Sequence, residues 1–427
     1  MSRRNWIAGT ALVVTLSSLA CVSERGPAPV ASQVDSAGVR VITNSARGAW
    51  GRAGPWTVKK DLSIGIATGA PEYQFGRVVD VGATSDGRIY VLDQMAAEVR
   101  VFDAEGVFLF SFGGLGEGPG EFSDHRPLGA NELSVTDYGE ILVADQVNNR
   151  LTRFNTEGDY LGSVPLGVPE AEPIVSNWHP NGGYAVHKVV WDRTWNGVVR
   201  IDPRDGEIMD TLLAFPFQPN GWGRVDPDER GRTEALMHSP LWAIMPDGRI
   251  VSGMSDESWF EIRTADGDLS TIVRRHEENP VLTETEQQRF LDSLMDLWTR
   301  MFEAEDQPED WIEAEIRRGY GIYIPPERLP AITGFAPGPA GTIWVRQAVP
   351  VTEMTVDILY QRRPLQEFWG PDWDVFSSTG VLLGQIALPS SFTVTSIQET
   401  AIYGVEVDEA SGVQRVLRLL VQTGDRD

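Results

Sequence analysis

Three gap-free repeats, a fixed spacing between their turn glycines, and a solitary strand-like segment ahead of the first predict an all-β fold. The predicted fold is a six-bladed β-propeller with a small helical insertion between blades 4 and 5. Ser85–Gly106 reads SDGRIYVLDQMAAEVRVFDAEG and Asp137–Gly158 reads DYGEILVADQVNNRLTRFNTEG. A third unit, Pro246–Gly267, reads PDGRIVSGMSDESWFEIRTADG. In all three the turn glycines lie 19 residues apart: Gly87 and Gly106, Gly139 and Gly158, Gly248 and Gly267. Looser copies at Asn181–Gly206 and Ala340–Gly380 have longer middles, and a last copy, Glu399–Leu420, carries Thr400 in place of the first glycine.

Within a unit, apolar and polar residues alternate, as at Ile89 and Val91, Val99 and Val101, Val107 and Leu109. A period of two marks strands buried on one face. The Asp-Gly and Glu-Gly pairs are hairpin turns, because glycine takes positive φ without a steric cost. Each unit is therefore a four-stranded antiparallel meander, and residues 39–422 hold six of them. The last unit supplies strands near Ala401–Val407 and Val413–Val421 and lacks an outer one. Trp56–Gly65 (WTVKKDLSIG) has no other partner, so it is expected to complete the last blade and remove an open edge. Residues 423–427 are a short tail.

The stretch FLFSFGGLGEGPGEF, Phe108–Phe122, poses a local alternative. A glycine-rich loop after a strand can hold phosphate, but only where a helix follows with its amide groups aimed at the anion. No helical pattern follows Phe122. FLFSF is read as the outermost strand of blade 1, and the glycines as the crossing to the innermost strand of blade 2.

Composition bounds function. The chain has 427 residues, 41% hydrophobic and 23% charged, with a net charge of −25. That balance opposes nucleic-acid binding and adhesion to anionic lipid by charge. Fourteen tryptophans offer packing and recognition positions. Cys21 is the one cysteine, so no disulfide or cysteine metal cluster can form. It ends MSRRNWIAGTALVVTLSSLAC, a basic start and a short apolar run that reads as a signal peptide over 1–20. Ser17–Cys21 resembles a bacterial lipobox with Ser18 in the usual leucine position, making Cys21 the expected lipidation site. Ser18-Leu19-Ala20 also fits ordinary secretion, cut at the same bond. Either way the chain is expected outside the cytoplasm, in the cell envelope. Residues 21–38, small, polar and proline-containing after the cysteine, read as a flexible tether.

VADQVNNRLTRFNTEG is similar to an NHL-type propeller repeat, with Asp145, Asn148 or Asn149, and Arg150 at the usual places. FGGLGEGPGEF and WDVFSSTGVLLGQIALP are similar to segments of bacterial six-bladed propeller proteins, often lipoproteins, without an assigned role. In blade 1, Ala97 and Glu98 replace the Asn and Arg. Other six-bladed propellers include calcium-dependent lactonases and lyases, so the resemblance implies Ca²⁺ at the central channel as one possibility and a hydrolase or lyase as the alternative function.

Strand parity sorts the loops. The glycine turns share one face; the joins between second and third strands, and between blades, share the other. The second set is irregular: Trp191–Asn196, Pro350–Asp372 and the insertion 277–330. Function rides on irregular loops of a rigid scaffold. In the insertion, Thr283 and Glu286 form a capping box, and Phe290, Leu294, Leu297 or Trp298, and Met301 recur at helical spacing. A second helix is expected from near Pro308 to before Gly319, with Arg317 and Arg318 in its last turn. The pair is read either as packing on the propeller edge or as a lid.

Six residues past the first turn glycine lie Asp93, Asp145, Lys188, Met254 and Gln347, with Glu406 at the matching place. They read either as strand-end caps or as a polar ring that could hold a ligand or Ca²⁺, an ion that takes oxygen ligands. Trp191, Trp195, Tyr360, Arg362, Arg363, Phe368 and Trp369 add aromatic and basic groups suited to recognition. The five histidines show no paired metal spacing. The reading is a binding or scaffold module for a protein, peptide or glycan on the irregular face, without a catalytic residue.

Overall fold

The computed structural model describes residues 30–50, 56–123, 130–136, 138–165, 173–174, 186–191, 196–201, 207–215, 233–234, 240–275, 281–304, 306–349, 369–408 and 410–422. The chain opens with strands β1 (Ala31–Ser36), β2 (Val39–Asn44) and β3 (Thr57–Ile64). Blade 1 follows as β4 (Val78–Ala83), β5 (Ile89–Asp93), β6 (Glu98–Phe102) and β7 (Phe108–Gly113). Blade 2 is β8 (Ala130–Val135), β9 (Glu140–Asp145), β10 (Arg150–Asn155) and β11 (Tyr160–Pro165). Blade 3 is β12 (Pro173–Ile174), β13 (Val186–Trp191), β14 (Asn196–Ile201) and β15 (Ile208–Phe215). After β16 (Thr233–Glu234) comes blade 4: β17 (Pro240–Ile244), β18 (Ile250–Met254), β19 (Trp259–Arg263) and β20 (Leu269–Arg274). Helices α1 (Glu284–Ala304) and α2 (Glu309–Ile322) and the short β21 (Tyr323–Ile324) separate it from blade 5. Blade 5 is β22 (Ile332–Pro337), β23 (Ile343–Ala348), β24 (Trp369–Phe376) and β25 (Leu382–Ala387). Blade 6 is β26 (Phe392–Ile397), β27 (Ala401–Val407) and β28 (Gln414–Gln422), and β3 is its outer strand.

β3 pairs antiparallel with β28, from Thr57 opposite Gln422 to Ile64 opposite Val416. Arg418 of β28 donates to the Asp61 carboxylate at 2.7 Å and to the Ala104 carbonyl of blade 1 at 2.8 Å. One guanidinium thus ties both ends of the chain to the first blade.

The core lies between blades. Ile64, Val78, Val81, Ile89, Phe102, Tyr403 and Val416 fill the seam of blades 6 and 1. Tyr90, Val99, Phe122, Ile141 and Phe154 fill that of blades 1 and 2. Each blade buries both of its faces against neighbours, so its middle strands are nearly all buried, as in β5 and β9. Alternation is clear in outer strands such as β7, whose residues are half-buried and exposed in turn.

The second turn glycine does more than take positive φ. Gly158 (φ +84°) sits where a Cβ would lie 2.7 Å from Phe112 of the preceding blade. At Gly267 (φ +87°) it would lie 2.4 Å from the Leu212 carbonyl oxygen. The third-to-fourth-strand turn of each of these blades lies against the outer strand of the blade before it, and only a residue without a side chain fits.

Two expectations need correction. The tether reading of 21–38 is too long: Ala31–Ser36 forms β1, paired with β2 in a hairpin that extends blade 4. β2 lies parallel to β20, with Arg40 opposite Thr271. From there the chain crosses blade 5, where Ala49 and Trp50 donate to the Leu382 and Leu383 carbonyls at 2.9 and 2.6 Å. Trp50 stacks against Trp56 with ring centroids 4.9 Å apart, and Trp56 lies 6.3 Å from Trp344. Residues 31–64 therefore strap three blades, 4, 5 and 6. The polar sequence hid β1 because its pairing is backbone-driven and buries almost no side chain.

The second correction concerns α2, which runs through Gly319 to Ile322. Gly319 is no stop signal. A Cβ there would lie 2.6 Å from the Met295 sulfur of α1, so the glycine permits the close crossing of the two helices. The capping box forms: the Thr283 amide donates to Glu286 Oε2 at 2.8 Å, and the Glu286 amide to Thr283 Oγ1 at 3.3 Å. The bond from the Thr283 amide, with a second from the Thr283 hydroxyl at 2.8 Å, holds the Glu286 carboxyl below its ordinary value. A lowered carboxyl stabilises α1 above the usual glutamate range and loses that effect as pH falls through the lowered value. Acid titration of ellipticity at the helix wavelength should show this step, and Glu286→Ala should lack it.

Candidate functional site on the irregular face

The crossing FGGLGEGPGEF is built around a cation from its own chain. Arg150, at the start of β10, donates to the carbonyls of Glu117, Gly118 and Glu121, each at 2.8 Å. Asn148 donates to the Gly116 carbonyl at 3.0 Å. The loop turns its carbonyl oxygens inward, which is the opposite polarity from a phosphate cradle. Phe122 is fully buried at its end.

Blade 1 solves the same problem with different residues. Glu98 occupies the position matching Arg150, and Arg100, two residues on and on the same face of the strand, takes over. Its guanidinium donates to the Gln74 carbonyl at 2.6 Å and contacts Asp93 at 3.5 Å. Sequence alignment to the Arg150 position missed Arg100; the period-two rule, which puts residues 98 and 100 on one face, could have found it.

The ring carboxylates are internal. Asp93 is fully buried and accepts from the amides of Gly76 and Arg77, both at 2.8 Å, and of Met95 at 3.2 Å. Asp145, also fully buried, accepts from the Ser123 amide at 2.7 Å, the Asn148 amide at 3.0 Å and Asn148 Nδ2 at 2.9 Å. Burial pushes the Asp145 carboxyl up, opposed by those amides and by Arg150. Both aspartates therefore lock the incoming crossing to the second-to-third-strand turn, and neither presents an oxygen to a ligand.

The other positions scatter. Gln347 donates to Asp374 at 2.6 Å, and Asp374 also receives Gln385 at 2.9 Å and Arg275 of blade 4 at 2.6 Å. This is a buried seam between blades 4 and 5. Glu406 accepts from Lys60 at 3.1 Å, on the β3 side of blade 6. Lys188 and Trp191 lie on β13 and Trp369 begins β24, with side chains outside the described residues. Cys21, Trp195, Arg362 and Arg363 lie outside the described residues altogether, as do Tyr360 and Phe368. Trp369–Asp372, read as loop, are strand. Among the described residues no three His, Cys, Asp or Glu side chains converge as metal ligands.

Among the described residues, three exposed apolar side chains stand on the irregular loops of blades 1 and 2. Met95 is 53% exposed, Leu115 65% and Val147 46%. Met95 and Val147 hold equivalent places in the second-to-third-strand turns of blades 1 and 2, and Leu115 sits in the crossing between them. Two bonds join the loops: the Gly114 amide donates to the Ala97 carbonyl at 2.8 Å, and the Gly116 carbonyl accepts from Asn148 Nδ2 at 3.0 Å. The three side chains thus stand in order, turn, crossing and turn, on loops joined by these bonds, an apolar ridge. Sequence inspection passed over them because a single apolar residue in a turn carries no signal.

No curated protein matches the chain. Among solved structures, a DUF4221 family member from Bacteroides vulgatus is similar at 10% identity, covering 86% of this chain and 99% of that one, with a TM-score of 0.50. A Bacteroides fragilis protein described as exported is 10% identical over 86% of this chain and 96% of its own, at a TM-score of 0.46. Virginiamycin B lyase from Staphylococcus aureus is 9% identical over 86% and 99%, at 0.39. The first of these supports the fold. With six radial sheets closed by β3, and with residues 72–170 matching a family model described as a 6-bladed beta-propeller, the chain is a six-bladed β-propeller.

Proposed function

We propose that the protein is an extracytoplasmic, lipid-anchored propeller that binds a protein, peptide or glycan on its irregular face. The observation that carries the binding reading is the ridge of Met95, Leu115 and Val147. These three apolar side chains are exposed on backbone that internal aspartates and arginines hold rigid, and rigid exposed apolar groups favour recognition because little entropy is lost on contact. The anchor reading rests on Cys21 at the end of the signal-like segment. Several acyl chains at one cysteine hold a protein firmly, at about 0.8 kcal/mol per buried methylene.

Two experiments test these parts separately. Cys21→Ser should move the protein from the membrane fraction to the soluble one and abolish acylation seen by mass spectrometry. For binding, a peptide and glycan array is probed with labelled chain. Signals that matter should fall at least tenfold in Leu115→Asp while its melting temperature stays within about 2 °C, since substitutions at exposed positions cost little. An array on which wild type and Leu115→Asp behave alike would remove the ridge from consideration.

A further inference from the structure

The β1–β2 hairpin has two unlike halves. β2 is fastened: Ile42 and Asn44 are each 2% exposed. The Asn44 amide nitrogen donates to the Arg274 and Gly380 carbonyls at 3.2 and 3.0 Å, and its oxygen accepts from the Leu382 amide at 2.7 Å. One side chain therefore clasps blades 4 and 5, and the strap continues onto blade 5 through Ala49 and Trp50. β1 has none of this. Every residue from Ser32 to Ser36 is exposed, with Val34 at the middle among the most exposed large apolar side chains described. Its turn holds Ala37 at φ +56°, a conformation that a β-carbon disfavours.

The ends matter mechanically. Ala31 lies opposite Asn44, and the Ser45 amide donates to the Val30 carbonyl at 2.8 Å. The point where the anchored segment enters and the point where the strap is clasped are therefore the same end of the hairpin. A pull on residue 30 opens β1 from β2 one pair at a time, starting at Ala31, while Asn44 holds β2 in place.

We propose that β1 is a releasable strand that gives the propeller two tether lengths. The inference rests on the reading of Cys21 as the anchor. With β1 docked, nine residues separate Cys21 from Val30, a reach of about 30 Å when extended. With β1 peeled to Val39, eighteen residues separate anchor from fastened chain, a reach of about 60 Å. The propeller can then rise from the membrane to meet a partner without any loss of blade structure.

The test is hydrogen exchange read by mass spectrometry on the full chain carrying Cys21→Ser, so that its outcome does not depend on acylation, which the fractionation experiment reads independently. The amides of Ser32, Val34 and Ser36, which face β2, should exchange at least a hundredfold faster than those of Arg40, Ile42 and Asn44, which face β20. In a second chain, Ser32→Cys with Thr43→Cys places two thiols on paired residues. Oxidation of that pair should slow β1 exchange to within tenfold of β2. Exchange of β1 as slow as β2 in the unstapled chain, or fast exchange that the staple leaves unchanged, overturns the proposal.

Discussion

Asp145→Ala should lower the stability of the propeller by about 3 kcal/mol, because it removes the acceptor of three half-buried N–H groups, of which only Asn148 Nδ2 keeps a second one in the Gly116 carbonyl, and each such loss costs about 1–3 kcal/mol, partly relieved by entering water. The donors are the Ser123 amide, the Asn148 amide and Asn148 Nδ2. Asp145→Asn should fall between alanine and wild type: its single oxygen can still serve one of the two sites, while its amide group confronts a second donor. Urea unfolding of the three chains measures the order. A loss below about 1 kcal/mol for the alanine chain would mean that solvent reaches this junction and that the aspartate is not its lock. The loop itself should report the same event, with protease cleavage within Gly113–Glu121 rising in Asp145→Ala.

Gly267→Ala should cost about as much for a different reason. A left-handed backbone penalises any β-carbon by about 1–2 kcal/mol. Here that carbon would also lie 2.4 Å from the Leu212 carbonyl oxygen, a backbone atom that cannot swing aside. Separating blades 3 and 4 enough to admit it opens the packed seam, which adds about 1–3 kcal/mol. Gly139→Ala is the internal control. Gly139 has φ +86° and its nearest neighbour would be 3.9 Å away, so only the conformational penalty applies. Melting temperatures of the two chains should therefore separate clearly, with Gly267→Ala the lower; equal shifts would show that the blade contact contributes nothing.

The contrast between those glycines marks how far the sequence was legible. The repeat, its strand order and the positive-φ turns were readable because they follow from local chemistry: Asp-Gly pairs, alternation, equal spacing. The second glycine's contact with the previous blade was not, since it joins Gly267 to a residue 55 positions earlier whose only signal is that it is a leucine on an outer strand. The ring position of Asp93 and Asp145 was visible, but a carboxylate at a strand end looks the same whether it faces solvent or the amides of the preceding crossing. Only the arrival of Gly76 and Ser123 decides it. Arg100 shows the converse. Blade 1 seemed to lack the repeat's arginine, yet the guanidinium is present two residues on, because the crossing needs a cation among its carbonyls and not a particular register. The ridge of Met95, Leu115 and Val147 was illegible because it gathers one residue from each of three loops.

The pairing of β3 with β28 joins residues 365 positions apart at Thr57 and Gln422. A chain emerging from a ribosome cannot shut the circle until β28 has passed. β3 must wait, without its partner strand, for β28. Closure of the ring is therefore a late event in synthesis, decided by the arrival of β28.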